Sequence, residues 1–253
     1  MEAREAALFE LALRMGDTAL ILGQRVSEWC GHAPALEEDI ALANTALDLL
    51  GQTQMWLELA GEVEGKGRSA DDLAFLRDAW DFRNLVLAEQ PNTDFGHTIM
   101  RQYLIDAWNR LMLDELQNSA DARIASIAGK AARETAYHLE RSRDLVIRLG
   151  DGSEESHARM QAALNTLWPF TDEFFEADDG DALLAAEGIG PDTAALAPQW
   201  QREVQASLAA ATLDIPEGRT NPSRSRSGRH TEHLGHLLAT MQWLQRAYPG
   251  ARW

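Results

Sequence analysis

Apolar residues recur at three- and four-residue steps along almost the whole chain, and no stretch alternates in the way a strand does. That spacing restricts the fold to an all-helical one. It predicts helices over about 5–29, 35–62, 71–90, 94–118, 121–149, 154–176, 192–213 and 231–247. Gly31 and Pro34 in "WCGHAP" separate the first two, since glycine suits a left-handed C-terminal cap and proline the first helical turn. The second helix is marked by the repeat Leu36, Ile40, Ala43, Leu47 and Leu50. Pro91 breaks the third, and Gly150-Asp151-Gly152 closes the fifth. Two long helical hairpins joined by a long connection match a four-helix bundle with one crossover. No repeat of 34 to 45 residues points to a solenoid. The expectation is one ferritin-like domain over 1–253, with a core bundle over about 5–150 and additional helices over about 151–253.

The charge excludes several function classes. Forty acids against 23 lysines and arginines give a net charge of −17, which repels phosphate backbones and anionic lipid, so neither a nucleic acid nor a membrane is an expected partner. The single cysteine, Cys30, rules out an internal disulfide and fits a reducing compartment. "MEAREAALFELALRMG" lacks the layout of a signal peptide, and no run reaches 18 uninterrupted apolar residues. A cytoplasmic location is expected.

A helical bundle invites a test for a di-metal site, which needs four inward carboxylates and two Glu-x-x-His pairs. The only literal pair, Glu154-Glu155-Ser156-His157, follows Gly152-Ser153 in a first helical turn, where acids and serine serve as caps. In "RETAYHLERSRD" the spacing is four, from Glu134 to His138. Ile124, Ile127, Ala131, Thr135, His138, Ser142, Leu145 and Leu149 define the inward stripe of that helix. His138 therefore points inward, but Thr135 stands three residues before it, where a bridging acid belongs. Glu134 is about 100° around the helix from Thr135. On the first hairpin Asp48 is a candidate acid, yet Gly51 and Gln52 follow it where a histidine would be needed; Asp106 is the remaining inward candidate. Asp48, Asp106, Glu134, Thr135 and His138 thus mark vestigial ligand-frame positions. Two hard cations need more carboxylates than these for charge balance, so a buried polar network is expected and neither a metal nor a catalytic residue is assigned.

His230, His233 and His236 spread over about 120° of a helix with about 9 Å between the first and last, too far for one metal. His32 sits at a helix end, where it suits capping of carbonyls. "PEGRTNPSRSRSGRH" is the one locally basic stretch, with Arg219, Arg224, Arg226 and Arg229 against Glu217. It reads first as a solvated loop, with an anion clamp or a docking loop as the functional alternative.

Five stretches, "GDTALILGQRVSEWCGHAPALEEDIALANTALDLLGQ", "EQPNTDFGHTIMRQYLIDAW", "ETAYHLERSRDLVIRLGDG", "LWPFTDEFFEADD" and "HTEHLGHLLATMQWLQR", occur in an order that resembles the C-subunit family of bacterial phenylacetyl-CoA 1,2-epoxidases. The resemblance runs over essentially the whole chain. It implies a non-catalytic ferritin-like subunit, without a cofactor of its own, that supports a homologous di-iron catalytic subunit. At the level of the complex it implies a reductase, phenylacetyl-CoA as substrate, and ring epoxidation with O₂. It also implies a heterodimer burying well over ~2,000 Å², as obligate interfaces do. Within that frame the four arginines are expected to meet CoA phosphates or the partner. A stand-alone di-iron oxidase and an acyl-CoA-binding module are the rival readings.

Overall fold

The computed structural model describes residues 2–217 and 225–251. Its α-helices in chain order are α1 (Ala3–Ser27), α2 (Leu36–Glu64), α3 (Ala70–Phe75), α4 (Val86–Glu89), α5 (Phe95–Leu116), α6 (Ala122–Gly150), α7 (Glu154–Leu167), α8 (Asp179–Ala186), α9 (Ala197–Ala210), α10 (Glu232–Met241) and α11 (Trp243–Ala247). No β-strand occurs among the described residues. The fold is all-α and ferritin-like, with two long hairpins, α1–α2 and α5–α6. The helices cluster as two compact units, one formed by residues 1–91 and 223–253, the other by 92–222.

In the first unit α1 is buried nearly all round, with Leu8, Leu11, Leu20, Ile21, Leu22 and Val26 inside. A helix of that kind belongs at the centre of a core. It begins with a reciprocal cap between Glu2 and Glu5, and a turn closed by the Asp39 carboxylate, which accepts from Gly31 N–H at 2.8 Å and Ala33 N–H at 3.2 Å, leads into α2. The two helices run antiparallel: Thr53 Oγ1 donates to Leu49 O at 2.9 Å and to Gly16 O across the hairpin at 3.4 Å. Leu42, Ala46, Leu49, Trp56, Leu57 and Ala60 form the buried face of α2. The apolar repeat that marks this helix in the sequence is a different face: Leu36, Ile40 and Leu47 are exposed, and Ala43 and Leu50 are half-buried.

The helix expected over 71–90 is two short helices separated by an irregular segment. Tertiary ionic contacts win over local propensity here. Arg77, just past α3, turns its guanidinium inward onto fully buried Asp17 of α1, with Nη1 at 3.0 Å from Oδ2 and Nη2 on Oδ1. It also lies 4.3 Å above the Phe82 ring. Arg83 N–H donates to the same Asp17 carboxylate at 2.8 Å, so the segment between α3 and α4 is tied to α1 at both ends. A capping box between Asp78 and Asp81 then starts a 3-10 turn over Ala79–Asp81. The last helix is likewise broken, at Gln242, whose buried amide donates to Ala74 O at 3.1 Å and Arg77 O at 3.0 Å.

In the second unit, α5 and α6 are antiparallel, and α7 and α9 pack on both. Asp94 caps α5 by accepting from His97 N–H at 2.8 Å, and Asp121 caps α6 by accepting from Arg123 N–H at 2.9 Å. The expected helix over 154–176 ends as α-helix at Leu167 and continues as a 3-10 segment, Trp168–Phe175, with Pro169 in its first turn. That over 192–213 is a short 3-10 turn followed by α9, and α8 was not anticipated. Trp168, Phe174, Phe175 and Trp200 form an aromatic cluster with ring centroids 5.6–6.1 Å apart, and Trp108 joins it at 5.6 Å from Phe174. Two of its indoles are anchored by hydrogen bonds: Trp108 Nε1 donates to Phe174 O at 3.0 Å and Trp200 Nε1 to Leu104 O at 3.3 Å.

Candidate functional site

The inward stripe read from α6 is observed: Ile124, Ala131, Thr135, His138, Ser142 and Leu145 are buried, while Ile127 and Leu149 at its margins are half-buried. Facing it, α5 presents Gln102, Asp106 and Asn109, which at i, i+4 and i+7 share one helical face. The antiparallel arrangement turns these two rows into a polar ladder. Gln102 Nε2 donates to Asp106 Oδ1 at 2.7 Å, Ser142 Oγ donates to Asp106 Oδ2 at 2.8 Å, and Asn109 Nδ2 donates to Thr135 Oγ1 at 3.4 Å. Arg110, beside Asn109, reaches Ala132 O at 3.1 Å.

Asp106 sits at the middle of the ladder and is 2% exposed. Burial pushes its carboxyl up to about 6, because the charged form loses its water. The nearby His138, the hydrogen bonds from Ser142 and Gln102, and Arg141 all pull the other way without overcoming that loss. Each Asp106 oxygen is already committed to a neutral donor, and the inward positions around it carry a threonine, a serine and two amides. Such a donor set has one buried carboxylate and one buried imidazole, short of what two hard cations need. The side chains of this ladder do not make up the donor set of a di-metal cage. Among the described residues, no group of three or more His, Cys, Asp or Glu could hold a metal ion.

The other expected site residues fall as follows. Glu134 is half-buried on α6, beside Thr135 rather than on the inward face. Asp48 is half-buried in the first unit, on α2 to one side of its buried face. Ser153 caps α7 by accepting from Ser156 N–H at 3.2 Å, and His157 Nδ1 contacts Gly150 O at 2.8 Å, so the literal Glu-x-x-His serves a helix start. His32 contacts Cys30 O at 3.0 Å, as a turn-capping residue does. Arg219 and Arg224 lie outside the described residues; Arg226 is half-buried and Arg229 is exposed.

One polar centre was missed in the sequence. Glu89 of α4 is fully buried, and its carboxylate accepts from four donors: Asn84 Nδ2 at 3.0 Å, His230 Nδ1 at 2.8 Å, Thr231 N–H at 2.6 Å and Thr231 Oγ1 at 2.7 Å. The second nitrogen of His230 lies 3.0 Å from Phe82 O. Both ring nitrogens of His230 are thus held by oxygen atoms of the first unit. Arg25 adds two bonds to the Glu89 backbone carbonyl, at 2.7 and 3.1 Å. This centre anchors the end of the arginine-bearing segment. Gly228, at φ +75°, lies against the Trp80 carbonyl, where any Cβ would collide. Only the "RH" at 229–230 hinted at it, and its acidic partner lies 141 residues away in sequence.

Against known proteins, the family model described as "Phenylacetic acid catabolic protein" matches residues 1–253. The C subunit of the 1,2-phenylacetyl-CoA epoxidase of Escherichia coli (strain K12) is 49% identical over 241 residues, covering 95% of this chain and 97% of that protein. No helix among the described residues is long and apolar enough to cross a membrane.

Proposed function

The chain belongs to the phenylacetic acid catabolic protein family, and from that premise we propose that it is a non-catalytic structural subunit of a multicomponent phenylacetyl-CoA 1,2-epoxidase. In this reading it stabilises a homologous catalytic subunit that holds the di-iron centre, a separate reductase supplies electrons, and the assembly works in the cytoplasm. The observation that carries the reading is the α5–α6 ladder. Of the expected ligand-frame positions, Asp106 and Thr135 are closed by hydrogen bonds from Gln102, Ser142 and Asn109, with His138 buried beside them. A buried hydrogen-bonded network of this kind rigidifies a core and specifies its register. The chain's chemical contribution is therefore a shaped, fixed scaffold, and the proton and electron transfers of epoxidation belong to the partner.

Co-expression with the epoxidase catalytic subunit tests this. The expected result is a stable heteromeric complex whose iron tracks the catalytic subunit, while the isolated chain holds no stoichiometric iron. Two irons bound per isolated chain would overturn the assignment. Within the same reading, Arg219, Arg224, Arg226 and Arg229 contact either the CoA phosphates or the partner. Alanine replacement of Arg226 and Arg229 should then raise the substrate KM of the complex or weaken its assembly.

A further inference from the structure

Helix α2 carries two apolar faces, and the core uses one of them. The outer face is Leu36, Ile40, Ala43, Leu47 and Leu50, spaced 4, 3, 4, 3 in the heptad rhythm that seats one helix against another. Leu36 is 71% exposed, Ile40 53% and Leu47 67%. Large aliphatic side chains seldom line up in water on a monomeric protein; contiguous patches mark interaction surfaces. The stripe is not the end of the feature. At Leu50 and Gln54 it runs into a groove of about 420 Å³ between α2 and α3, whose walls include Leu57, Glu58, Ala74 and Phe75. A stripe with a groove at one end offers a seat for a row of apolar side chains and a hole for one bulky one.

Charge selects the occupant. Helix α2 has seven acids (Glu37, Glu38, Asp39, Asp48, Glu58, Glu62 and Glu64) and no lysine or arginine. Glu37 is exposed beside the start of the stripe, Glu58 is exposed on the groove beyond Leu50, and Asp48 lies half-buried along the side. A second copy of α2 laid on the stripe would bring acid against acid, in a chain already at −17. Anionic lipid and nucleic acid are repelled for the same reason. A helix with an apolar stripe flanked by lysine and arginine satisfies both the shape and the charge.

We infer that the Leu36–Ile40–Leu47 stripe and the groove beyond Leu50 are the seat for an amphipathic, basic-flanked helix of a partner subunit in the epoxidase complex. This rests on the proposed function, which supplies the partner, and adds the surface and the chemistry of the segment that binds it. Because Ile40 and Leu47 are exposed, charged substitutions there are expected to leave the fold intact.

The test uses the full chain co-expressed with the catalytic subunit, in wild-type form, as Ile40→Glu/Leu47→Glu, and as the reversal Glu37→Lys/Glu58→Lys. Far-UV circular dichroism and Tm of each isolated chain check folding. The expected result is a complex for wild type, at least tenfold weaker binding for both variants, and unchanged spectra and Tm. Equal affinity of Ile40→Glu/Leu47→Glu and wild type would overturn the inference while leaving the proposed function intact. Equal or stronger binding by Glu37→Lys/Glu58→Lys would overturn the basic-flanked partner. A wild-type chain that self-associates through this face, becoming monomeric in Ile40→Glu/Leu47→Glu, would make a second copy the occupant and overturn it too. Failure of wild type itself to bind the catalytic subunit would bring down the proposed function, and this seat with it.

Discussion

Replacing Asp106 by asparagine should remove a pH-dependent cost from the centre of the second unit. The carboxyl is raised by burial from an ordinary 3.8 to about 6. A carboxyl that holds its proton more tightly when folded favours the fold below pH 3.8, and that advantage is lost as pH rises through about 6. The full loss is the pKa difference times 1.36 kcal/mol, or about 3 kcal/mol. About half of it has been incurred by pH 5.0, so between pH 5.0 and 7.5 wild type should lose about 1.4 kcal/mol relative to Asp106→Asn. Asparagine keeps an acceptor for Gln102, and the Ser142 hydroxyl can rotate to accept from the new amide. Whatever that exchange costs, about 1 kcal/mol for an imperfect hydrogen bond, is the same at every pH and cancels in the slope. Urea unfolding of both proteins at half-unit steps from pH 5.0 to 7.5 measures the difference, with the far-UV signal of unfolding as readout. A difference that stays flat, or that moves in wild type's favour as pH rises, would refute the reasoning. It would mean that His138 and the two hydrogen bonds, rather than burial, dominate the Asp106 carboxyl.

Two further substitutions probe buried contacts, one in each unit. Gly150→Ala places a Cβ 2.5 Å from Ala211 O and 2.8 Å from Ala211 Cβ, so the close approach of the α6 end to the residue after α9 is lost. Overpacking of this sort should cost about 1–3 kcal/mol in urea titration. Glu89→Gln replaces one carboxylate oxygen by an NH2 that faces donors in need of an acceptor. Leaving buried donors without their acceptor should cost about 1–3 kcal/mol, read as a lowered denaturation midpoint together with earlier proteolysis near residue 230.

The helical class, the caps and the α6 stripe were legible locally, because each depends on residues within about a turn of one another. That Thr135 and His138 share one buried face of α6 could be seen from their three-residue spacing. The α2 periodicity was legible too, but its direction was not. A repeat of 4 and 3 says that apolar residues share a face, and it does not say whether that face meets the core or solvent. On α2 the core takes the face of Leu42, Leu49 and Trp56 instead, which also carries Gln52 and Thr53 and so looks less apolar in sequence.

By itself, then, the sequence determined an all-helical ferritin-like chain, the Ser153 cap that starts α7, and the inward stripe of α6 that carries Thr135 and His138. Only the tertiary structure decided what depends on residues far apart. Asp17 meets Arg77 from 60 residues away and breaks the helix expected over 71–90. His230 meets Glu89 from 141 residues away and fixes the end of the arginine segment. Ionic pairs in a core have no local spacing rule, since their geometry follows from the packing of helices. Which face of an amphipathic helix is covered follows from the same packing, and it left Leu36, Ile40 and Leu47 of α2 in solvent.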